Sequence, residues 1–151
     1  MQGRVWLIWG AVLAGSAVAL GALAAHGLEG YFKDKYAESA PREVAGVKVP
    51  AALKYLQDFK TAAEYQMYHA LGLLAIGLLA QSRRSLAWPV AGWCFVLGIA
   101  LFSGCLYLLT LTGQRWLGAI VPIGGVLFLV GWTALAIGVS QMALTLTKED
   151  K

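Results

Sequence analysis

Four long apolar runs, at about residues 5–25, 62–81, 87–111 and 117–144, decide what this chain can fold into. Between Arg4 and His26, and again between Arg84 and Arg115, no side chain carries a charge. Each run is close to the roughly 20 residues that a helix needs to cross the hydrocarbon core of a bilayer. Hydrophobic residues make up 59% of the chain and charged residues only 13%, against about a quarter in ordinary soluble domains. One domain of 151 residues cannot hide that much apolar surface from water, so lipid must solvate part of it. The expected fold class is all-α membrane, a four-transmembrane-helix bundle forming a single domain over 1–151.

The net charge of +4 invites a nucleic-acid reading. The Lys and Arg residues, however, stand in connections and near the chain ends rather than along one helical face. Basic residues in such places meet lipid headgroups and set topology. The expected partner is the lipid bilayer, with no nucleic acid. Arg4, the apolar run after it and Ala22-Leu23-Ala24 imitate a secretory signal with its cleavage site. The run exceeds a signal's apolar core, so it reads as an uncleaved first span.

Residues 26–50 form a polar connection rich in charge, with Pro41, Gly46 and Pro50, and should be the least ordered part of the chain. Pro50 suits the entry of a new helix. From there to about residue 80 nothing interrupts the helical pattern, which gives a helix of about 45 Å, longer than the membrane core. Its opening, 51–61, is expected to project or to lie on the membrane surface, which makes the second helix extended and partly interfacial. There Leu53, Leu56, Phe59 and Ala63 form an apolar stripe, and Lys54/Asp58 and Lys60/Glu64 are i,i+4 pairs of opposite charge. Tight turns follow at Gln81-Ser82-Arg83-Arg84-Ser85 and Thr112-Gly113-Gln114-Arg115.

Helices in lipid associate through small residues that admit close approach. Gly124, Gly131 and Gly138 recur every seventh residue on the fourth helix, as do Ala91, Gly98 and Cys105 on the third. Those faces should press together as an antiparallel hairpin. Gly10, Ala17 and Ala24 give the first helix a similar stripe. An even number of spans puts both termini and the Arg83-Arg84 turn on one side. The raw count of Lys and Arg favours the opposite side, but Arg83 and Arg84 crowd a turn that must sit at one interface. Cytoplasmic termini are therefore preferred.

Four motifs in this order resemble those of the YgdD/YwdK family of small bacterial inner-membrane proteins, domain of unknown function 423. They are Gly21-Ala22-Leu23-Ala24-Ala25-His26-Gly27-Leu28, Tyr65-Gln66-Met67-Tyr68-His69-Ala70-Leu71, Leu101-Phe102-Ser103-Gly104-Cys105-Leu106-Tyr107, and Pro122-Ile123-Gly124-Gly125 with Trp132. Cys105 stands where the pattern has Ser, Val121 where it has Thr, and the connection around Pro41 to Pro50 is longer. The resemblance implies four spans and a multi-pass place in the bacterial inner membrane. It implies no activity.

An ionisable residue inside a membrane is a functional candidate by default. Counting from the inner turns places His69 about 21 Å deep, level with Ser103 and Cys105. His69 should therefore meet a hydroxyl or thiol of the third helix. With Tyr107 and Tyr68 these residues form the candidate polar cluster, either a ligand site or a structural lock. The same counting puts His26 at the outer rim near Glu64 and Tyr65, where His26 and Glu64 could pair. Pro122 should break the fourth helix near its outer end.

Two histidines invite a bis-histidine haem, but the counting separates them by roughly 12 Å along the membrane normal. No close ligand pair supports a metal. Cys94 and Cys105, about 16 Å apart along one helix, are beyond disulfide reach. No cofactor and no metal are expected, and no arrangement of nucleophile, base and acid points to an enzyme. The leading expectation is a non-catalytic accessory, assembly or scaffold protein that packs as a homo-oligomer or in a larger membrane complex. The alternatives are a small transporter or permeation unit with an outer-half pocket around His69, and a cofactor-binding redox subunit.

Overall fold

The computed structural model describes residues 2–82 and 84–149, with side chains described for 3–82 and 84–142. Helix α1 is Gln2–His26, α2 is Leu28–Lys35, and strands β1 (Arg42–Val44) and β2 (Val47–Val49) precede the long α3, Ala51–Ser82. The third long helix runs as α4 (Ala87–Ile99), a π-helical turn (Ala100–Gly104) and α5 (Cys105–Thr112). A 3₁₀ turn at Arg115–Ala119 leads into α6, Val121–Glu149. Among the described residues, three segments are long and apolar enough to cross a membrane: Gly3–His26, Ala87–Thr112 and Arg115–Met142. Helix α3 falls outside that set because Glu64, Gln66 and His69 dilute its apolar half.

The polar connection is built, not loose. Helix α2 lays Phe32, fully buried, against Phe59 of α3, with ring centroids 6.4 Å apart. Strands β1 and β2 pair antiparallel around Ala45-Gly46, both at positive φ (50° and 81°), as a two-residue primed hairpin turn requires. Glycine takes that backbone freely, whereas Ala45 occupies it at some cost. The buried line on the opening of α3 is Ala51, Tyr55 and Phe59, while Leu53 is exposed. Of the expected stripe, Phe59 and Ala63 are buried and Leu56 packs against the same core, whereas Leu53 is exposed and Ala51 and Tyr55 take its place. Of the two expected ion pairs only Lys54–Asp58 forms among the described residues, joined by Glu29–Lys33 on α2. The hydrogen bond between Glu29 and Lys33 lowers the carboxyl pKa and raises that of the amine.

Tyr36, just past α2, ties this strap to the bundle. Its hydroxyl donates to the Thr110 carbonyl at 2.7 Å. Gly113 ends α5 in the left-handed region (φ 78°), its N–H returning to the Leu109 carbonyl at 2.8 Å. Tyr36→Phe should lower stability by about 1 kcal/mol, read from a thermal melt in mild detergent. Burial also raises the phenol's pKa above its ordinary value of 10. The sign follows from linkage: the unfolded chain ionises first as pH climbs past 10, so the tyrosine's contribution is full below that pH and lost above it. The phenylalanine variant should show a shallower alkaline fall.

Helices α1 and α3 pack antiparallel, Gly3 against Gly77 and Gly10 against Ala70 and Leu74. The third helix and α6 form the antiparallel hairpin that the glycine spacing predicts: Gly124 meets Gly98 and Phe102, Gly131 meets Phe95 and Cys94, Gly138 meets Trp88. Cys105 departs from it. The π turn inserts one extra residue, turning whatever follows by about 100° around the helix. Cys105 thus leaves the α6 face and joins a core of Ala24, Phe32, Tyr55 and Phe59 at the α2 end. A second core, around Trp6, Leu73, Trp88, Phe95 and Phe128, fills the other half.

Candidate functional site

Between the two apolar cores lies a belt holding three of the four buried polar residues among those described: Gln66, His69 and Ser103. Gln66 projects from the middle of α3 into the seam between α1 and α5. Its Nε2 donates to the Leu13 carbonyl at 2.9 Å and to the Ser16 hydroxyl at 2.7 Å. Its Oε1 accepts from the Tyr107 hydroxyl at 3.0 Å. Ser16 in turn donates to the Leu13 carbonyl at 3.0 Å. A carbonyl can only accept and the phenol has its hydrogen to give, so the network fixes the amide's orientation. One side chain thereby binds three helices.

His69 sits one turn further along α3 and meets almost nothing polar. Its Nδ1 lies 2.6 Å from the Tyr65 carbonyl oxygen. That carbonyl needs a donor, so Nδ1 carries the hydrogen and the lone pair is on Nε2. The ring stacks on Phe128 of α6, centroids 3.4 Å apart and planes 10° from parallel. Phe95 meets it edge-on at 5.3 Å, and Trp132 closes another side at 6.0 Å. Tyr65 extends the stack onto Phe102 at 4.6 Å. The imidazole is boxed by aromatic rings from α3, α4 and α6, not by a hydroxyl or thiol of the third helix as its depth suggested.

The expected cluster of His69, Ser103, Cys105, Tyr107 and Tyr68 is therefore divided. Tyr107 belongs to the Gln66 network, with its ring 4.7 Å from Phe59. Ser103, fully buried in the π turn, has a hydroxyl without a hydrogen-bond partner. Cys105 lies in the apolar core at the α2 end, and Tyr68 is 55% exposed on the bundle surface. Among the described residues no group of three His, Cys, Asp or Glu side chains could hold a metal ion.

The rim group is also redistributed. His26 ends α1, exposed, and forms no ion pair with exposed Glu64 among the described residues. The reason is register. Gly3 opposite Gly77, Gly10 opposite Ala70 and Leu13 opposite Gln66 bring His26 level with the first turns of α3, not with Glu64. Counting from the inner turns took Arg4 and Arg83 as one level, whereas α3 runs on past the start of α1. Tyr65 is not at the rim but beside His69. Pro122 is the second residue of α6, after the 3₁₀ turn, where the missing N–H costs nothing. It starts a helix rather than breaking one.

Sequence reasoning missed Gln66 and Ser16 as site residues, and missed the box of Phe95, Phe128 and Trp132. Signals were present: a lone amide in the middle of an apolar run, and Phe128 with Trp132 at i,i+4. Five cavities of about 330 to 650 Å³ lie at the two ends of the bundle and along the outer face of α6. None of the five is lined by His69, Ser103 or Tyr107.

Residues 20–125 match the family described as protein of unknown function DUF423. The chain is 44% identical over 141 residues to a UPF0382 membrane protein of Staphylococcus epidermidis, covering 93% of this chain and 98% of the relative. To a UPF0382 membrane protein of Staphylococcus saprophyticus the identity is 46% over 136 residues, 89% of this chain and 96% of the other. To the UPF0382 membrane protein YwdK of Bacillus subtilis it is 41% over 135 residues, 89% and 94%. No solved structure matches the chain. By coverage, identity and its apolar helices, this chain belongs to the DUF423 family and is, like those relatives, a membrane protein whose family has no named activity.

Proposed function

We propose that the protein is a non-catalytic, four-span component of the bacterial inner membrane, with cytoplasmic termini, acting as an accessory or assembly unit in contact with a second copy or a larger complex. The observation that carries this reading is how fully the interior is occupied. Gln66 spends its amide on α1 and Tyr107, and His69 is stacked face-to-face on Phe128. The Gln66 amide, held at both its nitrogen and its oxygen by neighbouring helices, has nothing left for a reacting molecule, and the Ser103 hydroxyl is the exception among the buried polar groups described. As fourth span we take the apolar half of α3, whose buried face runs from Ala62 to Gly77 between α1 and the third helix. Gln66 is tolerated there because α1 and Tyr107 satisfy its amide, and His69 because it donates to the Tyr65 carbonyl of its own helix. The ends of α1 and α3 near Gly3 and Gln81 lie together with Arg4 and Arg84, a basic rim suited to the cytoplasmic side.

The test is assembly state together with His69→Phe. In mild detergent the wild type should run above the protomer's mass, by light scattering. The variant should accumulate equally and keep the same assembly, because phenylalanine preserves the ring stack. A strictly monomeric, partner-free protein would overturn the reading, as would a folded His69→Phe protein that had lost a transport activity.

A permeation unit is the second reading, favoured by the partnerless Ser103 hydroxyl in a π turn, a feature often found at functional sites. Solute flux into proteoliposomes that stops on Ser103→Ala would establish it.

A further inference from the structure

At the end of the bundle that carries α2, one cleft gathers cations from three elements: Arg42 of β1, Lys54 of α3 and Arg115 of the turn before α6. It measures about 390 Å³, and Glu43 is its only carboxylate. The ion pairs among the described residues are Glu29–Lys33 and Lys54–Asp58, so neither Arg42 nor Arg115 has a carboxylate within bridging distance. Arg42 is held in place: its guanidinium lies 5.3 Å from the Tyr55 ring, which packs 4.2 Å from Tyr36. Trp116, next to Arg115, is 62% exposed. An exposed tryptophan at the end of a span marks headgroup depth, so the cleft opens at the level of lipid phosphates.

We propose that this cleft binds the phosphate of an anionic phospholipid headgroup, with Arg42 and Arg115 as the gripping residues. A planar guanidinium offers paired N–H donors that match two oxygens of a phosphate, and two such groups without carboxylate partners leave room for one anion. Lys54, shared with Asp58, adds field rather than grip. Solubilised protein, stripped of lipid, is titrated with phosphatidylglycerol or phosphatidylcholine and read by native mass spectrometry. Wild type should retain phosphatidylglycerol preferentially. Arg42→Gln with Arg115→Gln should cut that retention by about thirtyfold, from about 1 kcal/mol for each of two surface arginines. Lys48→Gln, on β2 outside the cleft lining, should lose only the field of one lysine, well short of the arginine pair.

Inorganic phosphate that displaced the lipid from wild type alone would keep the site and name the soluble anion as its source. Equal retention in wild type and the double glutamine variant would overturn the proposal, and so would an equal loss in Lys48→Gln. Should the glutamine pair fail to accumulate, Arg42→Lys with Arg115→Lys takes its place. That pair keeps charge but loses the paired donors, and undiminished phosphatidylglycerol preference in it would also overturn the proposal.

Discussion

Gly124→Leu should prevent the third helix and α6 from closing, whereas Gly125→Leu, one residue along, should leave the bundle intact. A Cβ at Gly124 would stand 2.6 Å from the Phe102 amide nitrogen, 2.8 Å from the Phe102 Cβ and 3.0 Å from the Gly98 carbonyl oxygen. Two of those three atoms are backbone, which no change of rotamer can move. The helices must separate, and the damage spreads, because Phe128 fills the space over Gly98 and carries the stack on His69. Over-packing a core costs about 1–3 kcal/mol where side chains can yield. With backbone in the way the cost should exceed that range, and the measurement is loss of accumulated, detergent-stable protein. At Gly125 an added Cβ meets nothing within 4 Å. If both variants fail alike, or both fold alike, the close approach at Gly124 is not what holds this pair together.

That contrast shows what the sequence could and could not reveal. Heptad spacing of small residues identified the face of α6 correctly, because glycine repeats report directly on where a neighbouring backbone comes close. The same spacing placed Cys105 on the partner face and was wrong there. A π turn leaves no periodic trace: it shifts the register by one residue, and only the folded structure shows Ala100–Gly104 doing so. Three apolar spans were plain, yet the charged connection hid α2 and a β-hairpin, since each is short and stabilised by contacts distant in sequence, such as Tyr36 to Thr110. Depth was the weakest inference. Counting along each helix gives rise but not relative offset, and the Gly3–Gly77 contact sets an offset that no local pattern encodes. Hence Glu64 and His26 looked level, and Tyr65 was placed at the rim when it lies beside His69.

Gln66→Leu should be the most costly polar substitution in the protein, and its coupling to Tyr107 should show why. Leucine fills nearly the same volume, so the loss isolates the amide's bonds to the Leu13 carbonyl, the Ser16 hydroxyl and Tyr107. Interhelical hydrogen bonds in membrane proteins average about 0.6 kcal/mol and reach about 1.7, so three of them make a loss of about 2 kcal/mol. The Leu13 carbonyl keeps Ser16 as a donor, which limits the damage on α1. The Tyr107 hydroxyl keeps no such substitute: its one acceptor is gone, and a half-buried donor without a partner is penalised beyond the bond itself. Tyr107→Phe removes that donor, so on the Gln66→Leu background it should cost nothing further, or restore some stability. On the wild-type background the same change should lose about 1 kcal/mol. Denaturant titration of the two single variants and the double in mixed micelles gives the coupling energy. Strict additivity would mean that Gln66 and Tyr107 act independently. The belt would then be two neighbouring contacts rather than one network, and the case for an interior consumed by its own helix–helix bonds would lose its main support.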